Sequence, residues 1–269
     1  MSAPNPKEHT MTHPNTATIG PCHILRANCL DMLASLPTPL GGFDALITDP
    51  PYSSGGRTAA ERQRPASEKY VQGGVCATHN VDFAGEMMDA RSWTHWCAHW
   101  LELARQQVKE GGYALVFTDW RQLPALTDAI QMAGWHWRGV AVWDKGGGAR
   151  GPHKGYFRHQ CEYIVWASNG ALPAAKHGGP WPGCYKVPVV PQEKLHMTGK
   201  PIDLMRQLVS IVPPGGHVLD PFMGSASTGV ACIETDRQFT GIEVTQHYYD
   251  VSANRLKEAL DKHAAQQVA

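Results

Sequence analysis

The sequence predicts an α/β fold built on a mostly parallel sheet, and two observations carry that prediction. Apolar runs of strand length alternate with longer stretches of helical periodicity along most of the chain. Two of those runs stop abruptly in motifs rich in proline or glycine, Asp49-Pro50-Pro51-Tyr52 and Asp220-Pro221-Phe222-Met223-Gly224-Ser225. Open α/β sheets place their functional groups beyond such strand ends. A chain of 269 residues with 42% apolar residues is long enough for one large domain with a real core.

In chain order, residues 1–18 are polar and rich in Pro, Thr and Asn, which predicts a loose tail without the apolar h-region of a signal peptide. Strands are predicted at His23 to Arg26, Phe43 to Thr48, Tyr113 to Asp119, His136 to Trp143, Glu162 to Ala167, His217 to Leu219 and Gln238 to Glu243. Helices are predicted near Met88 to Lys109, Leu123 to Ala133, Pro201 to Ile211, Thr228 to Thr235 and Tyr248 to Lys262. Residues 19–269 thus read as a single domain.

Two stretches stand outside this alternation. Residues 53–93 carry Gly55-Gly56, Gly73-Gly74 and the bases Arg57, Arg62, Arg64 and Lys69, and read as a long mobile loop. Residues 146–196 contain Gly146-Gly147-Gly148 and Trp181-Pro182-Gly183, with little periodicity outside the strand they bracket.

Formal net charge is zero, but between Lys145 and Lys200 there are eight Lys or Arg against two Glu, with four histidines. An electropositive segment set into a balanced body suits a groove-facing insert, and a solvated loop with chance charge is the plainer alternative. No apolar stretch reaches bilayer length, and seven cysteines without a Cys-x-x-Cys pair suit free thiols in a reducing compartment. Cytoplasmic residence, no membrane association and no metal site are therefore expected. His95, Cys97 and His99 lie at helical spacing without a carboxylate partner and read as packing or interface residues. Pro21-Cys22 precedes a strand instead of following one, which argues against a nucleophilic cysteine there.

The first motif supplies the parts needed to hold a flat nitrogen base by its exocyclic amine. That amine is a poor nucleophile because its lone pair is delocalised into the ring. If the Asp49 carboxylate and the Pro50 carbonyl accept its N–H bonds, the lone pair is freed and aimed. Pro50 and Pro51 hold the acceptors rigidly and remove backbone donors, and Tyr52 offers a face on which a base can stack. The second motif is a glycine turn opening into a helix, where a charged ligand tail can approach the backbone.

Together the two motifs resemble those of the amino-methyltransferases of DNA, in the β-class order in which the Asp-Pro-Pro-Tyr element precedes the glycine loop. A third match is His196-Met197-Thr198-Gly199-Lys200-Pro201, similar to the family's Thr-x-Lys-Pro segment. The resemblance runs from Ile24 to about Asn254 and implies a Rossmann-like methyltransferase sheet, circularly permuted, mostly parallel with an antiparallel edge hairpin. It places the Phe43 to Thr48 and His217 to Leu219 strands side by side at the centre, and the His23 to Arg26 strand beside Gln238 to Glu243.

The resemblance further implies S-adenosylmethionine as cofactor, double-stranded DNA as substrate and a homodimer, with no indication of a restriction endonuclease partner. It assigns Asp49, Pro50, Pro51 and Tyr52 to catalysis. Asn28, Asp49, Thr198, Lys200, Pro201, Asp220, Phe222, Gly224, Ser225 and Glu243 fall to the cofactor, Glu243 at the ribose hydroxyls and Thr198 or Lys200 at the carboxylate. Residues 146–196 match the place of target recognition. Adenine N6 is the implied acceptor because Asp stands at position 49, where Ser is commoner in cytosine-N4 enzymes. Cytosine N4 remains an alternative, and a catalytically inactive DNA-binding module is a third. Two positions depart from the pattern: Ala226 replaces a usual glycine, and Asn28 replaces a usual aspartate.

Overall fold

The computed structural model describes residues 15–53, 88–148, 154–174, 177–189 and 199–268. Its strands are β1 (Asn15–Ile19), β2 (Cys22–Arg26), β3 (Phe43–Thr48), β4 (Val108–Thr118), β5 (His136–Asp144), β6 (Cys161–Ser168), β7 (Cys184–Lys186), β8 (His217–Asp220) and β9 (Gln238–Glu243). Its α-helices are α1 (Cys29–Leu33), α2 (Ala90–Gln107), α3 (Leu123–Met132), α4 (Ile202–Val209), α5 (Ser227–Glu234) and α6 (Gln246–Val268). All the strands join one sheet in the order β1-β2-β9-β8-β3-β4-β6-β5-β7. Among the described residues no helix is long and apolar enough to cross a membrane.

Side-chain alternation along the central strands makes both faces apolar. Ala45 and Ile47 of β3, with Tyr113, Leu115 and Phe117 of β4, face Leu204 of α4, Val230 of α5 and Leu256 of α6. Leu46, Ala114 and Val116 face the other way, toward Leu33 of α1, Trp93 and Trp100 of α2 and Leu126 of α3. A sheet buried on both sides needs such near-continuous apolar runs, and its helices form the outer two layers. The α2 helix shows how the sequence achieves this. Asp89 caps it by accepting from the amides of Arg91 and Ser92, both at 3.0 Å. Trp93, Cys97, Trp100, Leu101 and Ala104 then line its buried stripe. Each fully buried indole removes 150–250 Å² from water in general terms, roughly 4 to 6 kcal/mol as an upper estimate. His95 and His99 face solvent while Cys97 points into the core, so the three do not converge.

Parallel pairing of β3 with β8, and of β2 with β9, brings together segments far apart in the chain, as the permuted order requires. Two details differ from the sequence expectation. Residues 15–18 belong to β1, which pairs antiparallel with β2, so the polar tail reading does not hold there; an edge strand exposed on most of its length carries little apolar pattern. The antiparallel edge hairpin is thus present as β1–β2, while the antiparallel β5–β6 pair sits inside the opposite edge because β7 adds outside β5 in parallel. Finally, α2 begins at Ala90, so residues 90–93 are helix. The mobile-loop expectation for 54–87 lies outside the described residues. The ends of that stretch are clasped, since the Ser53 hydroxyl donates to the Met88 carbonyl and accepts from its amide, both at 2.9 Å.

Candidate active site

Because β3 and β8 are adjacent and parallel, Asp49 and Asp220 emerge at the same end of the sheet. The Thr48 hydroxyl ties the two exits by donating to Asp220 Oδ1 at 2.6 Å. Around them opens a cavity of about 620 Å³, within the ~300–1,000 Å³ common for ligand sites. Asn28, Asp49, Pro50, Pro51, Tyr52, Lys200, Asp220, Phe222, Gly224, Ser225 and Glu243 all line it, so the sequence-assigned residues that the structure describes converge, Pro201 alone excepted. Pro201 instead caps α4, one residue before the helix begins. Thr198 lies outside the described residues.

The Asp-Pro-Pro-Tyr segment is anchored from behind. The Trp93 indole donates to the Pro51 carbonyl at 2.8 Å, and the Gln122 side chain donates to the Tyr52 carbonyl at 2.8 Å. Among the described residues neither anchor uses the Pro50 carbonyl. On the cavity side, the Tyr52 hydroxyl donates to Asp49 Oδ1 at 2.5 Å and the Lys200 ammonium donates to Asp49 Oδ2 at 2.5 Å. Each carboxylate oxygen thus keeps a lone pair for a further donor.

Lys200 is the centre of a buried charge chain. Its ammonium also pairs with Glu162 at 3.2 Å, and Glu162 pairs with Lys145 at 3.0 Å. Lys200 lines the cavity, and the partners its ammonium meets there are the acids Asp49 and Glu162. A lysine this buried needs local counter-charge, and the two nearest acids supply it. Aromatic rings of Phe117, Tyr52 and Trp143 complete its surroundings at 5.0, 5.6 and 6.0 Å. Burial raises the pKa of Asp49 and the Lys200 ammonium opposes that rise. Burial would raise Glu162 as well, but Lys200 and Lys145 hold it below the usual range. Desolvation works to lower Lys200, yet Asp49 and Glu162 keep it raised.

The opposite wall is built by the glycine loop. Gly224 adopts φ +49° and Ala226 φ +57°. A left-handed alanine costs about 1–2 kcal/mol, so the loop keeps its shape here despite lacking the second glycine. Gly224 N–H donates to Glu243 Oε2 at 3.2 Å, and Thr245 donates to Oε1 through its amide and hydroxyl at 2.8 and 2.7 Å. Burial raises the pKa of Glu243 against these bonds. Ser225 accepts from Arg255 at both its carbonyl and its hydroxyl, 3.0 Å each. The Phe222 ring packs on Trp100 and Trp96, at 5.0 and 5.4 Å. Asn28 caps α1 through its side-chain oxygen, which accepts from Leu30 at 2.9 Å.

Asp220 lines the cavity and also shapes the loop beside it. Its carboxylate accepts from the Thr48 and Thr228 hydroxyls and the Phe222 amide, all internal bonds that shape the loop. Burial pushes its pKa up to about 6 against those bonds. The folded protein then binds this proton more tightly than the unfolded chain, so the group's contribution to stability falls as pH rises from about 4 to about 6. The total is on the order of 3 kcal/mol. Asp220→Asn should flatten that part of the pH–stability curve, read from urea midpoints between pH 4 and 7. A variant curve parallel to wild type would show that the Asp220 carboxyl does not gain proton affinity on folding.

Sequence reasoning did not find Glu162 and Lys145 as site residues, nor Trp120, Arg121 and His159, which line the same cavity. Glu162 is the second residue of β6 and its partner Lys200 is distant in the chain, so no local spacing marks them. The Trp120 ring was one of many tryptophans with no neighbour in sequence to single it out. Cys22 is buried in β2 and burial pushes its thiol to about 12, which suits packing and not nucleophilic attack.

Comparison with known proteins agrees with this architecture. The putative methylase YubD of Escherichia coli (strain K12) is 28% identical over 245 residues, covering 86% of this chain and 88% of the relative. Among solved structures, M1.HpyAVI in complex with SAM superposes with a TM-score of 0.63 at 22% identity, covering 87% of this chain and 98% of the other. PvuII DNA methyltransferase, cytosine-N4-specific, superposes at 0.64 with 14% identity, covering 90% and 92%. A model of the N6/N4 family of DNA methylases matches residues 43–177 and 172–254. The match spans both strand-end motifs and the sheet between them, and the chain belongs to this family of DNA amino-methyltransferases.

Proposed function

We propose that the protein transfers a methyl group from S-adenosylmethionine to the N6 amine of an adenine flipped out of double-stranded DNA. The observation that carries this reading is the shared cavity, in which Asp49 with spare acceptor capacity stands across from the Gly224 loop and Glu243. The residues fit the cofactor. Gly224 lets a ligand approach the backbone, Ser225 offers polar atoms at the opening of α5, and Glu243 retains about one acceptor site for a ribose hydroxyl beyond its three internal bonds. Asn28 can pair with an adenine edge, and Phe222 supplies an apolar wall.

When bound, S-adenosylmethionine supplies an electrophilic methyl group on a sulfonium sulfur. Asp49 and the Pro50 carbonyl accept the two N–H bonds of the target amine and turn its lone pair toward that methyl. Forming the N–C bond would break the methyl–sulfur bond and leave a neutral thioether, and the cationic amine would give up one proton, which the spare acceptor sites of Asp49 are placed to receive. Lys200 and the Tyr52 hydroxyl fix the carboxylate's orientation throughout. The Tyr52 ring stacks against the base.

Cytosine N4 is the second reading, supported by the likeness to a cytosine-N4-specific enzyme and by the same amine chemistry. Aspartate at position 49 favours adenine in the family pattern. Incorporation of labelled methyl from S-adenosylmethionine into duplex DNA tests the function. Glu243→Gln tests the cofactor wall: the loss of a charge-assisted hydrogen bond of about 1.5–3 kcal/mol should weaken S-adenosylmethionine binding by about tenfold or more by calorimetry. Unchanged affinity would remove Glu243 from the site.

A further inference from the structure

The run Lys154-Gly155-Tyr156-Phe157-Arg158-His159 combines basic and aromatic side chains and ends at His159, which lines the cavity. Phe157 is 93% exposed and Tyr156 72%. Large apolar side chains left in water this completely mark a contact surface when they cluster with others. They do so here, because Trp120 is 47% exposed and its ring lies parallel to that of His159, with centroids 5.4 Å apart and planes 8° apart. The Arg121 guanidinium lies 4.9 Å from the same indole. Trp120, Arg121 and His159 all line the cavity.

The run is braced against the sheet. Lys145 N–H donates to the Gln160 carbonyl at 2.9 Å, the Gln160 side chain donates to Asp144 at 3.2 Å, and Arg158 donates to the Gly147 carbonyl at 3.4 Å. Nearby acids are already engaged: Asp119 accepts from the Arg121 and Gln122 amides and pairs with the Arg121 guanidinium at 3.9 Å, Asp144 accepts from Gly146 N–H and Gln160, and Glu162 lies between Lys145 and Lys200. What faces outward is therefore basic and aromatic, which complements a phosphate backbone with exposed base faces.

We propose that residues 154–159 are the element that enters the duplex, with Phe157 filling the stack vacated by the target base and the Trp120–His159 pair guiding that base into the cavity. This rests on the DNA-methylating reading above. Phe157 is two residues from His159, at most about 7 Å of chain, or roughly two base steps of 3.4 Å. An apolar wedge at that distance can occupy the gap while the neighbouring stacked pair lines the path of the extruded base. Apolar side chains that insert between base steps perform this unstacking elsewhere. Lys154 and Arg158 flank the wedge and can meet the phosphates on either side.

The test uses the full chain and two synthetic duplexes carrying the site found methylated in DNA exposed to the wild-type protein. One duplex is fully paired, and the other has an abasic position opposite the target base, so that the base is already unpaired. Phe157→Ala, at a residue outside the core, should slow single-turnover methylation of the paired duplex by about ten- to a hundredfold, the range of a lost stacking contact. On the abasic duplex it should stay within about twofold of wild type, because the step it assists has been bypassed. Equal rates on both duplexes, or an equal loss on both, would overturn the wedge. So would unchanged rates with a shift from dimer to monomer, which would make the run a contact between copies of this chain. Wild-type protein that methylates DNA beside an insensitive variant removes this inference alone, whereas no methylation by wild type removes the function beneath it.

Discussion

Asp49→Ala should lower the rate of methyl transfer by about a hundred- to a thousandfold at saturating cofactor and DNA, the effect of deleting one preorganised acceptor at a reacting centre. The residue sits at the exit of β3 with its side chain 24% exposed, so its loss opens no core cavity. Lys200 keeps Glu162 as a partner, which limits the structural cost. The variant should therefore unfold within about 1 kcal/mol of wild type while turning over very slowly. Near-normal turnover by a folded Asp49→Ala protein would mean that the amine is held elsewhere.

Lys200→Met carries the largest expected stability effect. Removing the ammonium leaves Asp49 and Glu162 facing one another across the cavity with Lys145 alone to compensate. Breaking a buried ion pair on one side generally costs 3–5 kcal/mol, and partial exposure of the two acids reduces this to about 2–4 kcal/mol near neutral pH. The pH dependence has a definite sign. Glu162 is held below its usual value, so its contribution is present above about pH 4.5 and is lost as pH falls through its folded pKa. Lys200 is raised, so its contribution persists up to its unfolded value of about 10.5 and is lost only as pH rises through the folded one. The deficit of Lys200→Met should hence be greatest between these limits and shrink on acidification, as the two acids take up protons. Urea titrations at pH 7.5 and 4.5 measure it. A deficit independent of pH would identify Lys200 as a packing residue whose charge has no part.

Much of the fold was legible because its evidence is local. Phe43–Thr48 and Gln238–Glu243 are found as read, since each is a short apolar run bounded by turn residues. The helix carrying Trp93, Cys97, Trp100 and Leu101 was legible from its spacing, within two residues at either end. By contrast, β1 is mostly exposed, and β7 and α1 are too short to show a period, so nothing in their composition separates them from loop. Position in the sheet also adds partners. Lys200 read as a cofactor contact because its neighbours in sequence resemble a cofactor motif, and folding sets it against acids from β6 and the β3 exit. Likewise Asp220 turned out to spend its hydrogen bonds on Thr48, Thr228 and Phe222, which no linear spacing could indicate. Long-range polar partners are the part of a site that one sequence hides.

The most direct test of the account is the identity of the methylated base. Duplex DNA incubated with the purified protein and S-adenosylmethionine, then digested to nucleosides and resolved by mass spectrometry, should yield N6-methyladenine, and Asp49→Ala should slow its accumulation by about a hundred- to a thousandfold. N4-methylcytosine in its place would contradict the adenine assignment, and the absence of any methylated nucleoside from folded, cofactor-binding protein would contradict the catalytic reading of the Asp49 site.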